Sequence, residues 1–395
     1  MQEPAGSSEA VFESARLGPI TLRNRIIKAA TFEGLTHGAL VSDELIEFHR
    51  RVAAGGVAMT TVAYLAVAPE GRTHRHVIWL RDEAVPGLRR LTDAVHAEGA
   101  AAAAQLGHAG PVANPASNRA PSLAPSRRFN SLGLRFDRGV TEADIARITV
   151  DYARAARLAV ESGFDSLEVH LGHNYLLSAF LSPKLNRRTD RFGGSLENRA
   201  RFARQVVRAV RDAAGSERAV TAKLNMTDGV AGGLWLEESL EVARMLQDDG
   251  ALDAIELTGG SSLANPMYLF RGEAPLEEFA ATLPPAARLG FRFVGKRFLH
   301  DYPFEEAFFL PYARQFRAAL DMPLILLGGI NRLDTMRQAI AEGFELVAMA
   351  RALLREPDLV NRLQAGEATE SLCVHCNKCM PTIYDGTRCV LVSQA

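Results

Sequence analysis

Eight short β-branched or aliphatic runs alternate with longer stretches of helical period, and this alternation leaves few folds open to the chain. The runs are "RIIKAA" (25–30), "VAMTTVAY" (57–64), "AAAAQL" (101–106), "FDSLEVH" (164–170), "AVTAKLN" (219–225), "LDAIEL" (252–257), "PLILLG" (323–328) and "LVAMA" (346–350). Between them the period predicts amphipathic helices over 43–54, 85–98, 142–162, 197–214, 236–249, 304–319 and 333–342. Ser42, Thr141 and Ser195 each stand where an N-cap belongs. Strand and helix repeated eight times predict an α/β fold of the (β/α)8 barrel type rather than an open doubly wound sheet. Residues 1–395 are expected to form one barrel domain, with 366–395 as a cysteine-rich C-terminal extension.

Two connections exceed what a barrel loop needs: 107–140 after the third run, rich in Pro, Ser, Asn and Arg, and 258–302 after the sixth. Long ordered loops on such a scaffold usually cover the site. The second fits equally well as a face packed on a neighbouring copy in a homo-oligomer, because Tyr268, Phe270, Phe291 and Phe293 suit either surface.

Charge narrows the function classes. With 45 Lys and Arg against 46 Asp and Glu, the chain offers no basic footprint for nucleic acid and no polybasic patch for a membrane. No apolar run approaches the roughly 18 residues needed to span a bilayer, and the acidic start lacks a signal-peptide build. A cytoplasmic location and a small-molecule partner are therefore expected.

On a parallel barrel the chemistry sits at the C-terminal ends of the strands. Those ends deliver Ala29, Ala30 and Thr31; Ala63 and Tyr64; Gln105; His170, with His173 and Tyr175 after it; Lys223 and Asn225; Thr258-Gly259-Gly260; Gly328-Gly329; and Ala350-Arg351. Glycines after the seventh strand and Arg351 after the eighth suit a phosphate, since backbone N–H groups can approach an oxyanion there and a guanidinium can clamp it. Gln105 offers a donor and an acceptor to a flat heterocycle, and Lys223 a charge for a ring that becomes anionic; FMN asks for both. A simple turn, a surface Gln and a paired Lys are the plainer readings. No G-x-G-x-x-G follows a strand, so a nicotinamide reductant would have to visit the flavin face itself.

His170 and His173 fit a metal pair, a satisfied polar pair, or two donors for an oxygen that gains charge. Metal is the least favoured of these, because no HExxH spacing or third ligand is evident. Tyr175 stands near enough to donate a proton.

All four cysteines, Cys373, Cys376, Cys379 and Cys389, fall in "CVHCNKCMPTIYDGTRC", spaced C-x2-C-x2-C-x9-C. Such clustering argues for a metal rather than a disulfide framework. A [4Fe-4S] cluster, four-thiolate zinc and empty thiols all remain open.

The stretches "LRNRIIKAAT", "AQLGHAG", "EVHLGHNYLLSAFLSPKLNRRTDRFGGSLENRARF", "LLGGI" and "AMARALLREPDLV" resemble the old yellow enzyme family of NADH:flavin oxidoreductases. They look most like its branch containing 2,4-dienoyl-CoA reductase and trimethylamine dehydrogenase. The resemblance implies FMN, with Gln105 and Lys223 at its pyrimidine, Ala29 to Thr31 along the ring, and Gly328, Gly329, Ala350 and Arg351 at the phosphate. It implies that His170 and His173 bind an activating carbonyl oxygen and that Tyr175 donates the proton. NADH or NADPH would then reduce the C=C bond of an α,β-unsaturated carbonyl compound by ping-pong transfer. An amine dehydrogenase or demethylase and an electron-transfer subunit are the alternatives. Iron-sulfur members carry a similar cysteine run, where a cluster would need an external electron-transfer partner or serve structure alone. In "SPKLNRRTDRFGGSLENR", Asn186, Arg188, Asp190 and Arg199 are expected to tie the loop to the barrel. Phe32, where relatives keep Thr, Cys or His, and Ala30-Thr31 in place of Pro-Met, depart from the family pattern.

Overall fold

A computed structural model describes residues 7–130, 135–283 and 285–392. Eight parallel strands close into a barrel: β1 (Ile26–Phe32), β2 (Met59–Ala66), β3 (Ala101–Gly107), β4 (Ser166–Leu171), β5 (Ala219–Asn225), β6 (Ala254–Thr258), β7 (Leu324–Leu327) and β8 (Leu346–Met349). Each pairs with its neighbours in sequence, and β8 closes on β1 through Val347 opposite Ile26. All eight expected strands are present, so the predicted (β/α)8 barrel is the fold observed.

The outer ring is α1 (Asp43–Ala54), α2 (Val85–Ala97), α3 (Glu142–Glu161), α4 (Leu196–Ala214), α5 (Leu236–Asp248), α6 (Leu310–Ala319), α7 (Leu333–Ala341) and α8 (Leu359–Gln364). The three expected caps form: the hydroxyls of Ser42, Thr141 and Ser195 accept from the amides of Leu45, Asp144 and Asn198. Thr141 completes a capping box with Asp144. α6 starts at Leu310 rather than 304, with Pro311 in its first turn. Phe308 and Phe309, ahead of it, lie over the β7 end, where a Cβ on Gly328 would stand 2.5 Å from the Phe309 ring and one on Gly329 2.6 Å from the Phe308 ring.

Both long connections are structured. The first carries a three-stranded sheet (Leu123–Ala124, Arg128–Asn130, Arg135–Gly139), the second short helices Met267–Phe270, Leu276–Ala281 and Pro285–Phe298. No described helix is long and apolar enough to cross a membrane.

The loop after β4 is tied down as expected. Asn186 Nδ2 donates to the carbonyls of Phe180 and Phe192, each at 2.8 Å. Arg188 pairs with Asp190 and reaches the Pro125 carbonyl at 2.9 Å, while Arg199 bonds the Leu181 carbonyl and Glu238.

Candidate active site and cysteine hollow

Because side chains alternate across a strand, every second residue of a barrel strand points inward. In β3, β4, β5 and β6 that places Gln105, Glu168, His170, Lys223 and Glu256 inside, with Gln105 level with Glu168, His170 with Lys223, and Lys223 with Glu256. Gln105 Nε2 donates to Glu168 Oε1 at 2.6 Å. Lys223 Nζ lies 3.6 Å from the same oxygen and 2.8 Å from Glu256 Oε1. Burial pulls the Lys223 pKa down, but the two carboxylates outweigh it and leave it raised. The ammonium therefore stays charged at neutral pH. Gln105 and Lys223, expected at a flavin pyrimidine, are brought together through Glu168.

β4 also leads into His170, His173 and Tyr175. His170 and His173 have ring centroids 5.0 Å apart, and Tyr175 meets His170 edge-on at 4.7 Å and Tyr64 at 5.3 Å. The turn that gathers them holds His173 and Asn174 at φ 58° and 60°, a left-handed conformation costly for residues other than glycine. Asn225, at the end of β5, restrains it: its Oδ1 accepts from the His173 amide at 3.0 Å. His173 Nε2 meets Thr258 Oγ1 at 3.0 Å, while His170 Nδ1 is buried with no hydrogen-bond partner. Burial, and then the Lys223 charge, push the His173 pKa down to about 3. Burial, His173 and Lys223 hold His170 well below its usual range. Both imidazoles are thus neutral, each with one N–H to give. Together with the Gln105 amide and the Lys223 charge, the orphaned His170 nitrogen makes a donor set that fits a flavin ring with an oxygen-bearing acceptor above it.

At the β1 end, Ala29 is buried and Ala30 and Thr31 half-buried. Thr31 Oγ1 donates to Glu33 at 2.6 Å, and Lys28 Nζ reaches Thr31 at 2.8 Å and Glu33 at 3.0 Å. Burial raises Glu33 against the opposing pull of Lys28.

Arg351 is found elsewhere than at the glycines. Its Nη1 donates to the Arg271 carbonyl at 3.0 Å and to the Asn377 side chain, and Cys373, Cys376 and Cys379 lie within electrostatic reach. The side chain expected at a phosphate thus faces the tail, while its own amide and that of Ala350 stay at the β8 end beside Gly328 and Gly329 (φ 114° and 74°).

The tail packs onto the mouth from two sides. Thr387 bonds the carbonyls of Phe32 and Glu33 after β1. On the other side the His375 ring stacks on Phe304 at 3.4 Å, and its carbonyl accepts from the Glu273 amide at 3.2 Å. Between these contacts the four cysteines line one hollow, with Arg351, Arg355, His375 and Asn377 in its wall. Burial raises the Cys379 thiol to about 11 and raises Cys373 too, with Arg351 opposing both shifts. Among the described residues no three His, Cys, Asp or Glu side chains stand close enough to hold a single metal ion.

Sequence reading missed Lys28, Glu33, Glu168 and Glu256. Their signal was present: a charge set inside an apolar run, as in "SLEVHL" and "AIELT".

Comparison with known proteins adds the family. The model of the NADH:flavin oxidoreductase / NADH oxidase family matches residues 10–258. 4,4'-Dithiodibutanoate disulfide reductase of Rhodococcus erythropolis is 62% identical over 382 residues, covering 97% of this chain and 95% of that protein. A multifunctional alkene reductase/demethylase of Caballeronia cordobensis is 30% identical over 94% of this chain, which spans 52% of that protein's length. A solved 2-naphthoyl-CoA reductase superposes with a TM-score of 0.83 at 24% identity, over 97% of this chain and 56% of that one, a likeness of fold. The resemblance drawn from the motifs is thereby borne out: the chain belongs to the NADH:flavin oxidoreductase / NADH oxidase family, as an NAD(P)H:flavin oxidoreductase of the old yellow enzyme kind.

Proposed function

We propose that this chain reduces a small, electron-poor acceptor at the His170, His173 and Tyr175 end of the barrel, and that the acceptor is an aliphatic disulfide. The observation that carries this is the 62% identity to a disulfide reductase over almost the whole of both chains. The balanced reaction is NAD(P)H plus a proton plus R–S–S–R giving NAD(P)+ and two R–SH.

Bound FMN would supply the hydride acceptor and two-electron carrier between nicotinamide and disulfide. Gln105 would hold its pyrimidine edge, Lys223 would face the charge that develops there, and Ala29 to Thr31 would line the ring. The amides of Gly328, Gly329, Ala350 and Arg351 would take the phosphate. His170 and His173, neutral by burial, donate to the polarised atom of the acceptor without competing for its proton. Tyr175 protonates the leaving sulfur.

A second reading is supported by the same constellation and by the Caballeronia relative's name: reduction of the C=C bond of an α,β-unsaturated carbonyl compound in ping-pong fashion. There the histidines hold the carbonyl oxygen and Tyr175 protonates the α-carbon.

For the tail we propose a [4Fe-4S] cluster. A tetrahedral zinc at about 2.3 Å from each thiolate needs sulfurs about 3.8 Å apart. The four cysteines line one hollow, and their C-x2-C-x2-C-x9-C spacing offers three close thiolates and a distant fourth, as a cubane bound through four irons can use.

Anaerobic turnover of FMN-loaded protein with NAD(P)H tests the choice of acceptor. Two thiols per NAD(P)H from 4,4'-dithiodibutanoate, faster than any oxidation with 2-cyclohexenone, is the expected result. Enone turnover alone moves the assignment to the second reading, and turnover of neither contradicts both.

A further inference from the structure

Inside the barrel, Lys28, Glu168, Lys223 and Glu256, with Glu33 just above, are each at most 3% exposed. Three carboxyls thus face two ammoniums where water does not reach. Full ionisation would leave an unbalanced negative charge in a low-dielectric interior, at a cost far above that of holding a proton. One carboxyl should therefore be protonated near neutral pH.

The partners identify which. Glu33 is held by Lys28 at 3.0 Å and by the Thr31 hydroxyl at 2.6 Å. Glu168 accepts from Gln105 at 2.6 Å and shares Lys223. Glu256 is fully buried, its one cation Lys223 at 2.8 Å is shared with Glu168, and the Glu168 carboxyl lies beside it. Its charged form is the least supported of the three. The groups that face it are Lys223 on β5, Glu168 on β4 and Lys28 on β1, with Glu33 and the neutral His49 behind Lys28; β7 beside it contributes only Leu324 to Leu327. Burial, partly offset by Lys223 and reinforced by Glu168, raises its pKa to about 8.

We propose that in alkaline solution, where Glu256 gives up its proton in the oxidised protein, it takes one up from solvent when the flavin beside Lys223 is reduced and releases it when the electron pair leaves for the acceptor. The proposal rests on the FMN reading above. A hydride from NAD(P)H brings the ring two electrons and one proton, adding one negative charge against Lys223. Lys223 then neutralises Glu256 less effectively, and a proton from water replaces the lost attraction. Re-oxidation reverses the shift, so over that alkaline range Glu256 takes up and releases a proton once per cycle. It acts through Lys223 and is a positioning residue rather than a catalytic one.

The test counts protons on FMN-loaded protein, photoreduced without oxygen in weak buffer containing a pH indicator. At about pH 8.5, Glu256→Gln should take up roughly half a proton fewer per flavin than the wild type, and Glu33→Gln should match the wild type. In the wild type, where folding is not in question, the reduced-minus-oxidised infrared difference spectrum should gain the carbonyl stretch of a protonated carboxyl. Equal proton uptake by Glu256→Gln and wild type, a loss confined to Glu33→Gln, or no carbonyl gain would overturn the assignment. Failure to bind FMN would show first, as missing flavin absorbance, and would remove the FMN reading along with it; flavin-loaded protein with an unchanged proton count removes the Glu256 role alone.

Discussion

At the barrel mouth, Lys223 meets carboxylates on both neighbouring strands at 2.8 and 3.6 Å, whereas at the tail a half-buried arginine lies among thiols, an amide and a carbonyl. Strand register fixes the first set, because a shift by one residue would turn every inward charge to the helices. Loop conformation fixes the second, including His375 and Asn377 at φ 56° and 55°. The mouth is therefore organised by strand register, while the tail is organised by loop conformation and its contacts with the barrel. Loss of a mouth residue should cost stability and flavin together. Loss of a tail cysteine should cost the proposed cluster first.

The largest expected effect comes from breaking the mouth's central pair. Lys223→Met leaves Glu168 and Glu256 buried without their cation, so the apoprotein should lose about 3–5 kcal/mol in denaturant unfolding and retain little FMN. An unfolding midpoint within error of the wild type would show that the pair carries no such weight. Next, Cys376→Ser should lower iron per chain sharply while the protein still binds flavin, a split read by metal analysis beside the flavin spectrum; loss of both together would erase the distinction between the two regions.

The histidines sharpen the comparison through pH. Their folded pKa values lie below the ordinary 6.5, so their contribution is present above that value and is lost as pH falls below it, for His173 down to about 3. Between pH 7 and pH 5 His173 should cost roughly 2 kcal/mol of stability, with His170 adding in the same direction, and His170→Asn with His173→Asn should flatten that slope. The same double variant should slow acceptor reduction by about 10²–10³-fold with flavin reduction by NAD(P)H less affected. The tail responds at the other end of the scale. With Cys379 raised to about 11, its stabilising share in cluster-free protein is lost as pH rises from 9 through 11, and alkylation of that thiol should accelerate over the same range. The smallest effect is Ser195→Ala, which removes the α4 cap and should cost about 1 kcal/mol in unfolding with turnover unchanged.

The two regions also differ in how far the sequence revealed them. Alternation of strand and helix gave all eight strands, and Ser42, Thr141 and Ser195 marked their helix starts, because those signals are local. The convergence of His170, His173 and Tyr175 was legible for the same reason: all three ride on one strand end and its turn. Glu168 and Glu256 went unread because an acid in an apolar run becomes meaningful only when a neighbouring strand sets Lys223 beside it. The direction of Arg351 was hidden too. It depends on Asn377 and on the Arg271 carbonyl, 80 residues away, which only the tertiary fold brings to one place. The start of α6 moved from 304 to 310 because Phe308 and Phe309 serve as a cover for Gly328 and Gly329 rather than as a helical turn.

The central claim, that a flavin lies over Gln105 and Lys223, is tested most directly by titrating flavin-stripped protein with FMN and following the quenching of its fluorescence. Saturation at one FMN per chain, lost when Gln105→Ala is combined with Lys223→Met in protein whose circular dichroism is unchanged, is the result expected. Uptake of no FMN by the wild type, or equal uptake by that double variant, would contradict it.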